Sequence, residues 1–222
     1  MGTNYYVSIE QELTMKFEWW EYIVFLIFIG VLVYAGYAYY EKMGFDLKCV
    51  VSDVNGNKYC VRERSKLSEA ADLLAKTTEK CKQLIDHLET KYAGQDDYRV
   101  ERLVSRFDPE KIMETLPTSQ YTAYSENKGE KLALCLNAKK KSDDGNDVLI
   151  DEHTLMFVSI HELSHIATKS IGHKSDFWEN FKFLLEEAKE AGIHEPVNYS
   201  KDGSTEYCGM KINDNPYFDL NK

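Results

Sequence analysis

An α+β fold is predicted for this chain of 222 residues, and three observations predict it. Long stretches with an apolar period of three to four residues read as helices, and short alternating stretches between them read as strands. The two kinds do not alternate in the regular manner that a parallel βαβ sheet requires. The expected arrangement is a small antiparallel sheet beside one central helix, preceded by an apolar helix and a long amphipathic helix. The corresponding divisions are an exposed acidic tail (1–18), an apolar span (19–41), a hairpin with the amphipathic helix (42–95) and the main domain (96–222).

The apolar span is the first element. Residues 22–40, YIVFLIFIGVLVYAGYAYY, are nineteen in number and carry no charge, enough for a helix to cross a hydrocarbon core of about 30 Å. Trp19, Trp20 and Tyr22 at one end, with Tyr37, Tyr39 and Tyr40 at the other, match the aromatic belts of a membrane interface. A cleaved signal peptide would have a basic leader and a shorter core. Here Glu10, Glu12, Glu18 and Glu21 outnumber Lys16, so the span reads as a retained anchor in a lipid bilayer. Lys42, Lys48, Lys58, Arg62 and Arg64 follow it, which places the N-terminus outside and the C-terminal domain on the cytosolic or interior side.

A net charge of −10 makes nucleic acid a poor partner. The one basic run, Lys139 to Lys141, is followed by Asp143 and Asp144 and reads as a solvated loop. Cys49, Cys60, Cys81, Cys135 and Cys208 are odd in number and contain no C-x-x-C pair. Reduced thiols are therefore expected on the interior side, although Cys49 and Cys60 could face each other across a hairpin.

That hairpin is predicted over 45–61, where alternation surrounds Asn55-Gly56. From Leu67 to Tyr92, the positions Ala70, Leu74, Cys81, Leu84 and Leu88 lie on one stripe of a long helix. The stripe would pack on its own domain or, alternatively, dock a protein partner. Two short helices follow over 98–107 and 109–116, the second capped by Asp108, started by Pro109 and stopped by Pro117. Residues 119–127 read as a polar turn region and 130–138, EKLALCLNA, as a strand. The stretch 132–137 with Leu132, Leu134 and Leu136 is the expected substrate-binding edge, because an extended peptide can pair with a strand beside an active-site helix. A charged loop covers 139–146.

The next helix carries the motif. Asp151 is its expected N-cap and Gly172 its expected end. Within it stands His161-Glu162-Leu163-Ser164-His165, the pattern H-E-x-x-H. Side chains four apart share a helix face, so His161 and His165 can offer two imidazoles to one metal. Glu162 then stands beside the metal as general base for an activated water. The surrounding Leu155, Phe157, Val158, Ile160, Leu163 and Ile166 are apolar, and burying three strongly polar groups among them without a metal would be costly. A catalytic zinc takes three protein ligands. His173, just past Gly172, is the best candidate for the third, with Asp176, Glu179, Glu186 and His153 as competitors. Ser175 caps a further helix over 176–191, closed by Gly192. Beyond it, Tyr199, Tyr207 and His194 are candidates to stabilise an oxyanion.

The segment HELSHIATKSIGHKSDFWENF resembles the WLM and SprT-like/YgjP-like metallopeptidases, in which H-E-x-x-H is followed by a spacer, a histidine and an aromatic pair, here Phe177-Trp178. The spacer is commonly five residues in those families and is seven in this chain. The resemblance implies a zincin-like fold, one Zn²⁺ held by His161, His165 and His173, and Glu162 as base. Relatives in those families act on DNA-bound proteins, a role that the acidic charge argues against carrying over. Similar sequences also occur in large DNA viruses. The function expected is a membrane-anchored zinc metallopeptidase hydrolysing peptide bonds in a protein or peptide substrate. The alternative is a catalytically silent zinc-binding scaffold of a membrane or virion.

Overall fold

The architecture is that of a computed structural model, which describes residues 19–43, 47–116, 118–138 and 148–218. The acidic tail, Pro117 and the 139–146 loop lie outside the described residues. The chain divides into two units, Met1–Gly44 and Phe45–Lys222. In the first, helix α1 (Trp19–Met43) has a mean hydropathy of 2.0 over its apolar window and is long and apolar enough to cross a membrane.

The second unit is mixed α/β with small sheets. It joins the expected 42–95 segment to the rest, because the amphipathic helix supplies part of the common core. Strands β1 (Leu47–Val51) and β2 (Lys58–Arg62) form the predicted hairpin, with Cys49 opposite Cys60. Helix α2 (Leu67–Lys91) turns Leu74, Cys81, Leu84 and Leu88 completely inward. Its apolar stripe thus packs on its own domain. Helix α3 (Tyr98–Arg106) is capped by Asp97, whose carboxylate accepts from the Arg99 amide.

The second short helix predicted over 109–116 does not form. A single 3₁₀ turn at Pro109–Lys111 leads into strand β3 (Ile112–Glu114). The reason is Glu114: buried, it accepts the Arg62 amide at 2.7 Å and pairs with the Arg64 guanidinium, which fixes the segment beside β2 as extended chain. Strand β4 (Ala123–Glu126) occupies what reads in sequence as a polar turn region, and β5 (Lys131–Leu134) is the predicted strand. The sheet order is β3-β5-β4, parallel between β3 and β5 and antiparallel between β4 and β5. The sheet is therefore mixed, and its middle strand is β5.

That order corrects the expected substrate edge. Leu132, Leu134 and Leu136 are 2%, 0% and 0% exposed, since a central strand is covered on both edges and here carries core side chains. The edge strands are β3 and β4, and β4 is the one that packs beside the motif helix.

Helix α4 (Glu152–Ala167) is apolar almost all round, as befits a helix surrounded by other elements. Helices α2, α3 and α5 (Ser175–Glu190) and strand β4 pack against it. Asp151 caps it as predicted, accepting from the Thr154 amide at 2.8 Å. It ends at Ala167, well before Gly172, because its last carbonyls find side-chain donors. Gly172, at φ +79°, instead serves the turn ahead of α5, a conformation that suits glycine. The tail folds as α6 (Tyr199–Asp202) and a hairpin of β6 (Thr205–Tyr207) and β7 (Met210–Ile212).

The expectation of reduced thiols is also corrected. Disulfides join Cys49 to Cys60 and Cys135 to Cys208, while Cys81 is free and buried. The second bridge fastens the β6–β7 hairpin to the end of β5, where the amides of Cys208 and Gly209 also donate to the carbonyls of Asn137 and Ala138, both at 3.1 Å.

Candidate metal centre

Two turns of α4 and the loop before α5 bring His161, His165 and His173 together. One ligand atom from each lies within 4.8 Å of the others, and His161 Nε2 stands 3.0 Å from His173 Nε2. The pair on α4 follows from helical spacing, and the position of His173 from the loop. Burial, reinforced by the neighbouring imidazoles, lowers the pKa of His161 to about 3 and of His165 to about 4; burial lowers that of His173 as well. Three neutral imidazoles facing one point are a donor set for a metal ion.

Phe177, the first residue of the aromatic pair, is the floor of this cluster. Its ring lies 4.9, 4.3 and 4.6 Å from those of His161, His165 and His173, and it is fully buried. Trp178 flanks only His173, at 5.7 Å. A large aromatic in contact with all three rings restricts their rotation, and its spacing from His173 is the sequence signal for it.

The loop from α4 to His173 is held from below by cations. Lys128 Nζ donates to the carbonyls of Thr168 and Ser170, both at 2.6 Å, and lies 3.5 Å from that of His165. Arg102 donates from Nε to the Ile166 carbonyl at 3.1 Å and from Nη2 to that of Thr168 at 3.3 Å. Both satisfy the unpaired carbonyl end of the helix and its negative dipole. Asp176 closes the loop from the other side, accepting from Ser170 Oγ at 2.7 Å and from the Phe177 amide at 3.1 Å. It positions the loop rather than joining the triad. Lys128→Met, which keeps the length of the side chain and removes its donors, is expected to weaken metal binding at least tenfold, the usual cost of losing an outer support of a ligand. Competition with a chromophoric chelator measures this, and an unchanged affinity would show that the loop is fixed without the lysine.

Glu162 lies beside the triad and is buried at 5% exposure. Its carboxylate accepts the backbone amide of Ser125 on β4, yet burial pushes its pKa up to about 8. A dication next to it would draw that value back down.

Triad and carboxylate open onto one cleft of about 1540 Å³. Ala123 and Ser125 of β4 line one side and Tyr207, Met210 and Ile212 of the C-terminal hairpin line another. Of the three candidate oxyanion donors, only Tyr207 is among the described residues lining this cleft. Its hydroxyl accepts the Cys135 amide at 2.9 Å and donates to the Thr122 carbonyl at 3.4 Å. Tyr199 and His194 correct the prediction: both rings pack against Phe157, at 5.3 and 6.3 Å, and the His194 ring lies tilted 4.3 Å from that of His153. His153 in turn donates to the Glu195 carbonyl, which removes it as a competing ligand. Glu179 lines the cleft, and neither it nor Glu186 belongs to the triad cluster.

A second cluster, His87, Glu187 and Glu190, is built differently. Lys91 Nζ stands between the carboxylates, 2.9 Å from Glu187 and 2.7 Å from Glu190, so its ammonium already fills the place of a cation.

No protein-family model matches the chain and no solved structure matches it. It is similar to the uncharacterized protein R325 of Acanthamoeba polyphaga mimivirus, 27% identical over 176 residues that cover 78% of this chain and 86% of the relative. The uncharacterized protein 136R of Invertebrate iridescent virus 6 is 35% identical over 66 residues, 30% of this chain and 35% of that protein. The uncharacterized protein 042R of Invertebrate iridescent virus 3 is 37% identical over 60 residues, 27% of this chain and 36% of that protein. The chain thus matches about a third of the length of each iridescent-virus relative.

Proposed function

We propose that this chain is a membrane-anchored zinc metallopeptidase with a zincin-like domain, in which His161, His165 and His173 hold the metal and Glu162 is the general base. The observation that carries the reading is the convergence of three neutral imidazoles and one buried carboxylate on a cleft bordered by a strand edge. A tetrahedral zinc with bonds of about 2.0–2.1 Å sets its ligand nitrogens about 3.3 Å apart. The 3.0 Å between His161 and His173, and the 4.8 Å limit on all three, fit that donor set.

When bound, zinc supplies a Lewis acid that polarises a carbonyl and lowers the pKa of water toward neutrality. Glu162 accepts the proton of the attacking water and returns it to the leaving amine. Substrate backbone lies along β4. The carbonyls of Thr122 and Glu126 accept from the β5 side, from Cys135 and from Gly129 and Glu130, so the alternate residues Ala123 and Ser125 turn their backbone groups away from β5. The Ser125 amide is held by Glu162, which leaves its carbonyl and both groups of Ala123 for a substrate. An extended peptide pairs there by strand addition. Tyr207 is the remaining candidate for the second oxyanion donor, on giving up its long bond to Thr122.

The reading places α1 in a bilayer. For the side, we propose the face opposite to the one that charge counting predicts. Arg62 and Arg64 are spent on buried Glu114 and Lys48 pairs with Glu63, and folded domains cross membranes largely regardless of such charges. Two disulfides favour an oxidising compartment.

Elemental analysis of the full-length protein in detergent micelles tests the centre. One zinc per chain is expected, falling close to zero in His161→Ala and in His173→Ala. Zinc retained by either variant would remove that histidine from the ligand set, and a folded wild-type protein that takes up none would sink the peptidase reading and leave only a scaffold without a metal.

A further inference from the structure

Beside the triad, one part of the cleft, here called the recess, is lined mainly by apolar side chains. Phe157 and Val158 stand four residues before His161 and Glu162, so they lie on the same helix face about one turn away, about 6 Å along the axis. Phe181 of α5 closes the recess between them and the triad, its ring 5.3 Å from that of Phe157 and 5.2 Å from that of His161. The far wall is the segment after β7. Asn215 donates to the Val197 carbonyl at 2.9 Å, two residues before Tyr199, whose ring packs on Phe157. Pro216 is thereby held at the same end of the cleft, which it lines together with Phe157, Val158 and Phe181. Around the mouth, Tyr121, Ile171, Trp178 and Met210 are 57%, 83%, 39% and 50% exposed. Four large apolar side chains left in water around one opening mark a surface that binds apolar matter.

We propose that this recess is the primary specificity pocket, and that the substrates are extended polypeptide segments bearing a large aliphatic or aromatic side chain next to the bond cleaved. The proposal rests on reading the triad as a hydrolytic metal centre. The occupant follows from placement: a chain lying along Ala123 and Ser125 passes the triad, and the side chain nearest the metal projects toward the turn of α4 that carries Phe157 and Val158. Among the described residues of those walls only Asp214 is charged, so an acidic side chain there would lose its water against phenylalanine, valine and proline with no cation to replace it. An aliphatic or aromatic one gains by burial.

Two small hydroxamates test this by binding alone, read by calorimetry on the zinc-loaded full-length protein in micelles. One carries an isobutyl side chain and the other a carboxymethyl group of similar size. The isobutyl compound is expected to bind at least tenfold more tightly, the ratio that burial of one large apolar side chain produces. Val158→Thr keeps the shape of the wall and adds a hydroxyl, and should reduce the ratio severalfold with zinc content unchanged. Equal binding of the two compounds would overturn the pocket while leaving the metal centre standing. A failure of both to bind zinc-loaded protein would sink the hydrolytic reading and the pocket with it.

Discussion

Glu162→Gln is expected to keep one zinc per chain while lowering peptide-bond hydrolysis by about 10²–10⁴-fold, the usual contribution of a positioned general base. The substitution is close to isosteric. Its amide oxygen can still accept the Ser125 amide that the carboxylate accepts now, so the tie between α4 and β4 survives. What disappears is the ability to take a proton from water. Stability should not fall, since the replaced group is a carboxyl whose ionised form burial disfavours, and a neutral amide carries no such penalty. The assay is release of fluorescence from a densely labelled, denatured protein, which presents many apolar segments at once. Hydrolysis above a tenth of wild type in a zinc-loaded variant would remove Glu162 from the reaction.

The helices of this domain were legible because their apolar residues follow the helical period. Helix α2 is found from Leu67 to Lys91 and α4 from its Asp151 cap, and the His161–His165 pair is fixed by backbone geometry alone. The end of α4 was not legible, because it is set by Lys128 and Arg102, which are distant in sequence and donate to its last carbonyls. Strand β3 is only three residues long and owes its form to Glu114, whose partners Arg62 and Arg64 lie about fifty residues upstream. Strand β4 is polar because it is an edge, so alternation hardly marks it. Its turn leaves a trace: Asn127 and Lys128 both take positive φ, 46° and 57°, ahead of Gly129, the signature of a tight hairpin. Reading that turn would have moved the substrate edge from β5 to β4. The odd cysteine count misled for a different reason. Cys81 is spent in the core, and the other four pair through folded geometry that spacing does not encode.

Replacing both Cys135 and Cys208 with serine is expected to lower the free energy of unfolding by about 4 kcal/mol, from the loop-closure entropy that a bridge across 73 residues removes from the unfolded chain. The bridge also fastens the hairpin that supplies Met210 and Ile212 to the cleft, whereas all three histidines stand on α4 and the loop before α5. Zinc content should therefore survive in this variant, while affinity for an apolar hydroxamate falls. The Cys49–Cys60 bridge is the control. It closes only 11 residues, and neither β1 nor β2 contributes a described residue to the cleft. Its removal should cost about 3 kcal/mol and leave hydroxamate affinity unchanged. Denaturant unfolding and calorimetry read both quantities, and equal loss of affinity in the two variants would mean that the hairpin is not a wall. The same four cysteines decide the membrane face. In membranes isolated with an alkylating reagent present, they should stay unlabelled until reduced if the domain faces an oxidising compartment. Labelling without reduction would return the domain to the interior side, where the bridges would be absent and the β6–β7 wall would be held by the Asn137 and Ala138 carbonyls and by Tyr207 alone.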